Sequence, residues 1–340
     1  MTAGLKPVLA RLGRGESLSH AEAEAAFGVV MDGQASPAQI GGMLMAMRAR
    51  GETVAELTGA VSALRSRMAR VEIPAGAIDV CGTGGDGAAS LNISTATAFV
   101  VAACGVKVAK HGNRALSSRS GGADVLAALG VNIAPPLARL PTILQQAGCV
   151  FMFAPSHHPA LRHAAEVRVE LGTRTIFNLT GPMANPAGVK HQLMGVFDPV
   201  WAKPVAETLA SLGSESAWVV FGNGLDELTL DGENLVVALK DGEITEFTLN
   251  AADAGLKPAP QAAIKGGDAT ENAAALRALL GGEKSAYRDT ILLNAAAALI
   301  VSGKTISLTE GVAMAARAID EGAANAVLDA LIQASRVGPN

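Results

Sequence analysis

Six residues, Gly82-Thr83-Gly84-Gly85-Asp86-Gly87, carry the first recognisable chemistry in the chain, directly after the apolar run Ile78-Asp79-Val80-Cys81. Glycines in such a loop free successive backbone N–H groups to turn inward on an anion. A helix opening near Asn92-Ile93-Ser94-Thr95 would add its unpaired N–H groups and the positive end of its dipole. The bland reading is a tight surface turn. The loop also matches G-x-G-x-x-G, but a dinucleotide site needs an acidic residue about 20 positions on. That region reads Lys107-Val108-Ala109-Lys110-His111-Gly112, without a carboxylate. Asp86 would repel a pyrophosphate unless a cation intervened, and no GK[ST] follows to make a Walker loop.

Three further segments carry charge where a ligand could use it. Lys110-His111-Gly112-Asn113-Arg114 closes a second apolar run and leads into the hydroxyl-rich Ser117–Gly122. Carboxyl ends of parallel strands are where α/β proteins bind ligands, so an anion site is the favoured reading over a solvated loop. In Asn223-Gly224-Leu225-Asp226-Glu227-Leu228, adjacent carboxylates follow a strand and a turn. They suit a hard cation such as Mg²⁺, which takes one or two carboxylates plus phosphate oxygens; a charged surface turn reads equally well. Within Val167–Pro186, a helix carries Arg168 and Glu170, stops at Gly172, and leads to Arg174 and the turn Gly181-Pro182. An arginine fork fits a planar carboxylate, although Arg168 could instead pair with Glu166 or Glu170 at the surface. His157-His158-Pro159 has no neighbouring Cys or carboxylate to complete a metal site and reads as packing. Cys81 reads as a small buried residue, and no G-x-S-x-G or other nucleophile signature appears.

The elements that must hold these segments follow from periodicity and punctuation. Residues 1–70 read as helices: Ser19-x-x-Glu22 and Thr53-x-x-Glu56 are capping boxes, Ser36-Pro37 starts a helix, and Gly51 ends it. Met43, Met45 and Met47 on that helix read as core or helix interface. After Ile73-Pro74-Ala75-Gly76 the pattern turns to strand and helix in alternation. Strands are expected at 78–81, 106–109, 150–153 and 217–221, with helices at 95–104 and 123–129. Such alternation argues for a largely parallel sheet covered by helices. Residues 226–250 look antiparallel, with Asp231-Gly232 and Asp241-Gly242 as turns, and the rest is Ala-rich helix over 271–281, 286–302 and 308–335.

Composition narrows the classes. The 340 residues are 49% hydrophobic and 17% charged, enough for two domains with full cores. A net charge of −4 without a Lys/Arg block argues against duplex binding. Cys81, Cys104 and Cys149 form no CxxC or zinc spacing and suit a reduced, cytoplasmic protein. The N-terminus has no signal-peptide run, and the apolar stretches near 96–106 and 291–302 fall short of the ~20 residues of a membrane span.

Taken together, GTGGDG at 82–87, NIST at 92–95, KHGNR at 110–114, SGGADVLAALGV at 120–131, HHPALRH at 157–163, VRVELGTRTIFNLTGPMANP at 167–186 and LDEL at 225–228 resemble the anthranilate phosphoribosyltransferases. The ordered set covers nearly the whole chain. The resemblance implies an α/β protein with a small all-helical domain (1–72, completed by a helical segment near 160–190). A larger α/β domain (73–340) has a mostly parallel central sheet flanked by helices, and the active site lies in the cleft between domains. It implies transfer of the phosphoribosyl group of phosphoribosyl pyrophosphate to the anthranilate amine in tryptophan biosynthesis, by a cytoplasmic homodimer joined through the helical domain. Gly82, Gly85, Asp86, Ser90, Asn92, Ile93, Ser94, Thr95, Lys110, His111, Gly112, Asn113, Arg114, Ala115, Leu116, Ser117 and Ser118 would hold the donor. Gly82, Asn113 and Arg168 would contact anthranilate, while Ser94, Asp226 and Glu227 would serve Mg²⁺, two ions per subunit. No residue would act as nucleophile; Lys110, Asn113 and Arg168 would position the reactants.

Departures from the family pattern are modest. Ser90 stands where Thr is common, Gly121-Gly122 where Gly-Ser is commoner, and Met183-Ala184 where bulkier apolar residues are usual. The stretch after Glu227 follows the family loosely. A pyrimidine-nucleoside phosphorylase-like enzyme, a non-catalytic nucleic-acid-binding relative and a nicotinamide oxidoreductase are the rival readings. The last rests on the glycine fingerprint alone.

Overall fold

The computed structural model describes residues 4–115 and 119–336. Four helices come first: α1 (Lys6–Leu12), α2 (His20–Met31), α3 (Pro37–Arg50) and α4 (Val54–Arg65). The side chains of Ser19, Ser36 and Thr53 each cap a helix, with Glu22, Gln39 and Glu56 closing the box. On α3, Met43 and Met47 are fully buried, whereas Met45 is exposed.

The remainder alternates as expected. Strand β1 (Ile78–Gly82) leads to α5 (Ile93–Ala103), β2 (Val108–Gly112) to α6 (Gly122–Ala128) and α7 (Leu140–Ala147), and β3 (Cys149–Phe153) to α8 (Ala154–His157), α9 (Arg162–Leu171) and α10 (Phe177–Met183). Then come β4 (His191–Gly195), α11 (Ala202–Ser211), β5 (Ser216–Gly222), β6 (Asn234–Lys240) and β7 (Glu243–Leu249), followed by α12 (Ala269–Leu280), α13 (Ala286–Val301), α14 (Leu308–Asp320) and α15 (Ala323–Arg336). The strands form one sheet in the order β3-β2-β1-β4-β5-β6-β7. The first five are parallel, and β6 and β7 are added antiparallel.

Several elements differ from the sequence reading. Strand β2 starts at Val108 rather than 106 and runs through Lys110, His111 and Gly112, because its register is set by β3, from Val108 opposite Cys149 to Gly112 opposite Phe153. Strand β4 was not expected. It opens on His191 and Gln192, yet lies at the sheet centre, where the Gln192 amide is satisfied by donating to Pro182 O at 3.0 Å. Gly181-Pro182 is the last turn of α10 rather than a loop turn. Asp241-Gly242 does turn the β6–β7 hairpin, both with positive φ (51° and 87°). Asp231-Gly232 lies just before β6, in the longer connection that joins the antiparallel pair β5 and β6, with Gly232 at φ 86°. The helix expected over 308–335 breaks at Glu321-Gly322, where Gly322 has φ 76°.

Apolar packing divides between the two sides of the sheet. One core joins the sheet to α5, α7, α13 and α15; the other joins it to α2, α3, α4, α9, α10 and α11. Helix α9 packs on α2 and α3, and α10 on α4. Arg65, largely buried at the end of α4, ties that helix to the ends of α10 and α11 by donating to Met183 O (2.9 Å) and Leu212 O (3.3 Å).

Candidate active site

Strands β1, β2, β4 and β5 each end in glycine: Gly82, Gly112, Gly195 and Gly222. The segment 225–228 folds across three of these ends. A Cβ on Gly195 would lie 1.5 Å from Asp226 O, one on Gly82 would lie 2.2 Å from Asp226 Oδ2, and one on Gly222 2.2 Å from Glu227 O. The missing side chains therefore let two carboxylates settle onto the carboxyl edge of the sheet. Asp226 Oδ2 accepts the Gly84 N–H at 2.6 Å, and Glu227 Oε1 accepts the Ser94 N–H at 3.0 Å, in the first turn of α5. Burial, reinforced by Asp86 beside Asp226 and by Asp226 beside Glu227, pushes both carboxyl groups well above the usual carboxylate range.

Lys110 reaches the same place from β2. Its Nζ donates to Val80 O (2.6 Å) and Ser94 Oγ (3.0 Å), and the side chain is buried. The glycine loop lies above, with Gly84 and Gly85 at φ 68° and 76°. Within it, Asp86 turns inward: Oδ1 accepts the Ala88 N–H (3.0 Å) and Oδ2 the Asp226 N–H (3.5 Å). Arg174 braces the loop by donating to Gly85 O while its guanidinium lies 4.3 Å from the centre of the Phe197 ring. It is thus engaged and no spare clamp for an acceptor.

Asn92 caps α5 without using its side chain for the capping bond. Its Nδ2 donates to Ser120 O (3.3 Å), and its carbonyl accepts the Tyr287 hydroxyl (3.1 Å). Ile93 is packed in the core, so only its backbone can face a ligand, whereas Thr95 is buried at the cleft wall. Ser90 pairs through its backbone with Lys265. Beyond β2, Asn113 Oδ1 accepts the Arg114 N–H (2.8 Å), and Arg114 pairs with Asp124 (2.6 Å). Ala115 N–H and Gly121 N–H both reach Asp124 Oδ2 at 3.0 Å and close that loop. Leu116, Ser117 and Ser118 lie outside the described residues.

Across the cleft, Arg168 sits in the last turn of α9 with its guanidinium over the Phe177 ring, 5.4 Å from the centroid. Burial lowers its pKa, and among the described residues it makes no ion pair with Glu166 or Glu170. The surface-pair alternative therefore fails. His111 and His158 stack edge to face at 5.0 Å, both kept neutral by burial, which pushes His158 down to about 4. His157 is held by a bond to Ala69 O at 2.8 Å, in keeping with a packing role.

These groups enclose a cleft of about 310 Å³. Gly82, Gly85, Asn92, Ser94, Thr95, Lys110 and Gly112–Ala115 line one wall; Arg168, Phe177, Asn178 and Gly181 line the other. Phe177 and Asn178 were not singled out from sequence, although both fall within a quoted motif, and His158, read there as packing, also lines the cleft. One wall offers N–H donors and a buried ammonium to an anion, and the other offers a desolvated guanidinium over an aromatic ring. Asp226 and Glu227 lie beneath the first wall. Among the described residues, no three His, Cys, Asp or Glu side chains converge as a ready-made metal cluster. Two buried carboxylates that make no ion pair among the described residues still fit Mg²⁺, which completes its shell with water and substrate oxygens.

Comparison with known proteins agrees with this geometry. The helical bundle domain of a glycosyl transferase family matches residues 6–68, and the a/b domain of that family matches residues 75–325. An anthranilate phosphoribosyltransferase of Mesorhizobium japonicum is 56% identical over 97% of this chain and 98% of its own. The crystal structure of an anthranilate phosphoribosyltransferase from Thermus thermophilus superposes with a TM-score of 0.92 at 44% identity, covering 97% of this chain and 99% of that one. The Saccharomyces cerevisiae enzyme, solved in complex with PRPP and Mg, gives 0.90 at 26% identity over 97% of each chain. None of these matches favours the nucleoside phosphorylase, nucleic-acid-binding or nicotinamide readings, and the chain belongs to the anthranilate phosphoribosyltransferase family.

Proposed function

We propose that this chain transfers the phosphoribosyl group of phosphoribosyl pyrophosphate to the amine of anthranilate, releasing pyrophosphate, as a step in tryptophan biosynthesis. The observation that carries the reading is the pairing of unlike walls in one cleft: Lys110, the glycine loop and the start of α5 on one side, Arg168 over Phe177 on the other. Gly82, Gly85, Asp86, Ser90, Asn92–Thr95 and Lys110–Ser118 are the donor's residues in this reading, and Gly82, Asn113 and Arg168 those of anthranilate. The backbone N–H groups and Lys110 stabilise the charge that gathers on the leaving pyrophosphate. Arg168 holds the flat carboxylate so that the neighbouring amine faces C1′ of the ribose; a neutral aromatic amine needs no protein nucleophile. Positioning is therefore the protein's main contribution.

Asp226, Glu227 and Ser94 would hold Mg²⁺, two ions per subunit, which when bound neutralises phosphate charge. The support is the chemistry of the two buried carboxylates, together with the yeast relative's complex with PRPP and Mg. A cytoplasmic homodimer joined through the helical domain, with domain limits at 1–72 and 73–340, belongs to the same reading and rests on the family resemblance. The test mixes purified protein, Mg²⁺, anthranilate and phosphoribosyl pyrophosphate and follows the loss of anthranilate fluorescence. Turnover should require all four. Turnover of a pyrimidine nucleoside with phosphate, and none of anthranilate, would reject the proposal.

A further inference from the structure

Between Ile264 and Gly267 the chain lies as a strap against the donor loop. Leu91 N–H donates to Ile264 O (2.9 Å) and Gly266 N–H to Ala89 O (2.8 Å). A Cβ on Gly266 would come within 2.6 Å of Ser90 O, so the strap can lie this close only without a side chain there. Helix α12 follows, and its fourth residue, Asn272, is 2% exposed. Asn272 Oδ1 accepts the Gly267 N–H at 2.7 Å. A backbone N–H can only donate, so that end of the amide must be oxygen and the other end nitrogen. The nitrogen donates to Asn92 Oδ1 at 2.8 Å. Asn92 must therefore turn its own Nδ2 the other way, towards Ser120 O and the cleft. A backbone donor at one end and a backbone acceptor at the other make this a one-way relay. Tyr287, from α13, holds the Asn92 backbone as well.

We infer that Asn272 is a positioning residue that fixes the amide orientation of Asn92 for the phosphoribosyl donor; the inference rests on the transfer reaction proposed above. Without Asn272, only the longer 3.3 Å bond to Ser120 O holds the Asn92 amide, which can then flip at no steric cost and present an oxygen to an anionic ligand where it now presents an N–H.

The decisive variant is Asn272→Asp. It is isosteric, keeps the bond to Gly267 N–H, and places a carboxylate near the start of α12, where the helix dipole tolerates it. Its second oxygen faces Asn92 Oδ1 and forces the flip. The expected result is a folded protein, its melting temperature lowered by the buried charge, with wild-type anthranilate KM and donor KM raised about tenfold, the effect of one misdirected hydrogen bond. A merely structural Asn272 would lower the melting temperature too but leave the ratio of the two KM values unchanged; that outcome, or a wild-type donor KM in the folded variant, overturns the inference. Wild-type protein is run beside it. If wild type itself consumes no anthranilate, the proposed reaction fails on its own account, and calorimetric titration of both proteins with phosphoribosyl pyrophosphate decides the inference. Tenfold weaker binding to Asn272→Asp supports it, and equal binding or none to either overturns it.

Discussion

In the proposed reaction, Arg168 is the residue on which acceptor recognition would turn. Its guanidinium is desolvated over Phe177 and has no carboxylate partner among the described residues, so its fork is available to a planar acid. A hydrogen bond to a charged group contributes roughly 1.5–3 kcal/mol, so Arg168→Ala should raise anthranilate KM about ten- to hundredfold. Donor KM should change little, and Arg168→Lys should restore only part of the loss because an ammonium has no fork. Steady-state kinetics with each substrate varied in turn check this; an unchanged anthranilate KM removes Arg168 from the acceptor site. Asp226 and Glu227 invite the complementary experiment. Asp226→Asn with Glu227→Gln should lose most Mg²⁺-dependent turnover without loss of thermal stability, since two buried, mutually repelling charges are removed. Full activity of the double variant in Mg²⁺ would count against any metal role. Lys110, Arg168 and the carboxylate pair were all visible in the sequence, because permanent charge beside an apolar run is conspicuous. Asn272 was not: it is a neutral amide in an Ala-rich helix, and its partner Asn92 lies 180 residues away.

Among the elements, the glycine loop depends on backbone shape more than on side chains. Among the described residues, nothing lies within 4 Å of a Cβ placed on Gly84, and only the Arg174 guanidinium is near one on Gly85, so neither position is crowded. Both have φ near +70°, which costs a residue with a Cβ about 1–2 kcal/mol. Gly84→Val and Gly85→Val should therefore give folded protein that has lost donor affinity in calorimetric titration. Wild-type affinity in both would show the loop to be only a turn. The expected strand–helix alternation located β1, β3 and β5, whose apolar runs lie beside glycine, but left out α7 and α11. It missed β4, whose five residues His191–Gly195 begin with two polar side chains. A central strand can carry Gln192 because a tertiary partner, Pro182 O, satisfies it, and no local pattern announces that partner. The start of β2 was misplaced for a related reason: pairing with β3 sets its register, while the apolar run 106–109 does not.

For the molecule as a whole, Asp79 links parts that are distant in sequence. Buried in β1, its carboxylate accepts His111 N–H of β2 (3.1 Å) and the Asn185 amide (2.8 Å), which also bonds Ala109 O. Burial, only partly offset by Lys110 and these donors, raises its pKa from 3.8 to about 6. The folded chain therefore keeps a proton that the unfolded chain releases. This contribution to stability is fully present below about pH 4 and is lost as pH rises to about 6. Urea unfolding at intervals across that range should show wild type losing stability relative to Asp79→Asn, which cannot titrate. A relative gain over the same interval would contradict the assignment.

The glycines that end β1, β4 and β5 have a consequence for how tolerance to mutation is distributed along this chain. In a saturation scan scored by growth without tryptophan, Gly195 should rank among the least tolerant positions, because even alanine would put carbon 1.5 Å from a backbone oxygen. Arg168, which carries a functional group, should pass some replacements at reduced fitness. A map of lost fitness would therefore peak where the chain has no side chain at all, and a reader who equated intolerance with contact to substrate would draw the active site one layer too deep, inside the sheet edge that supports it.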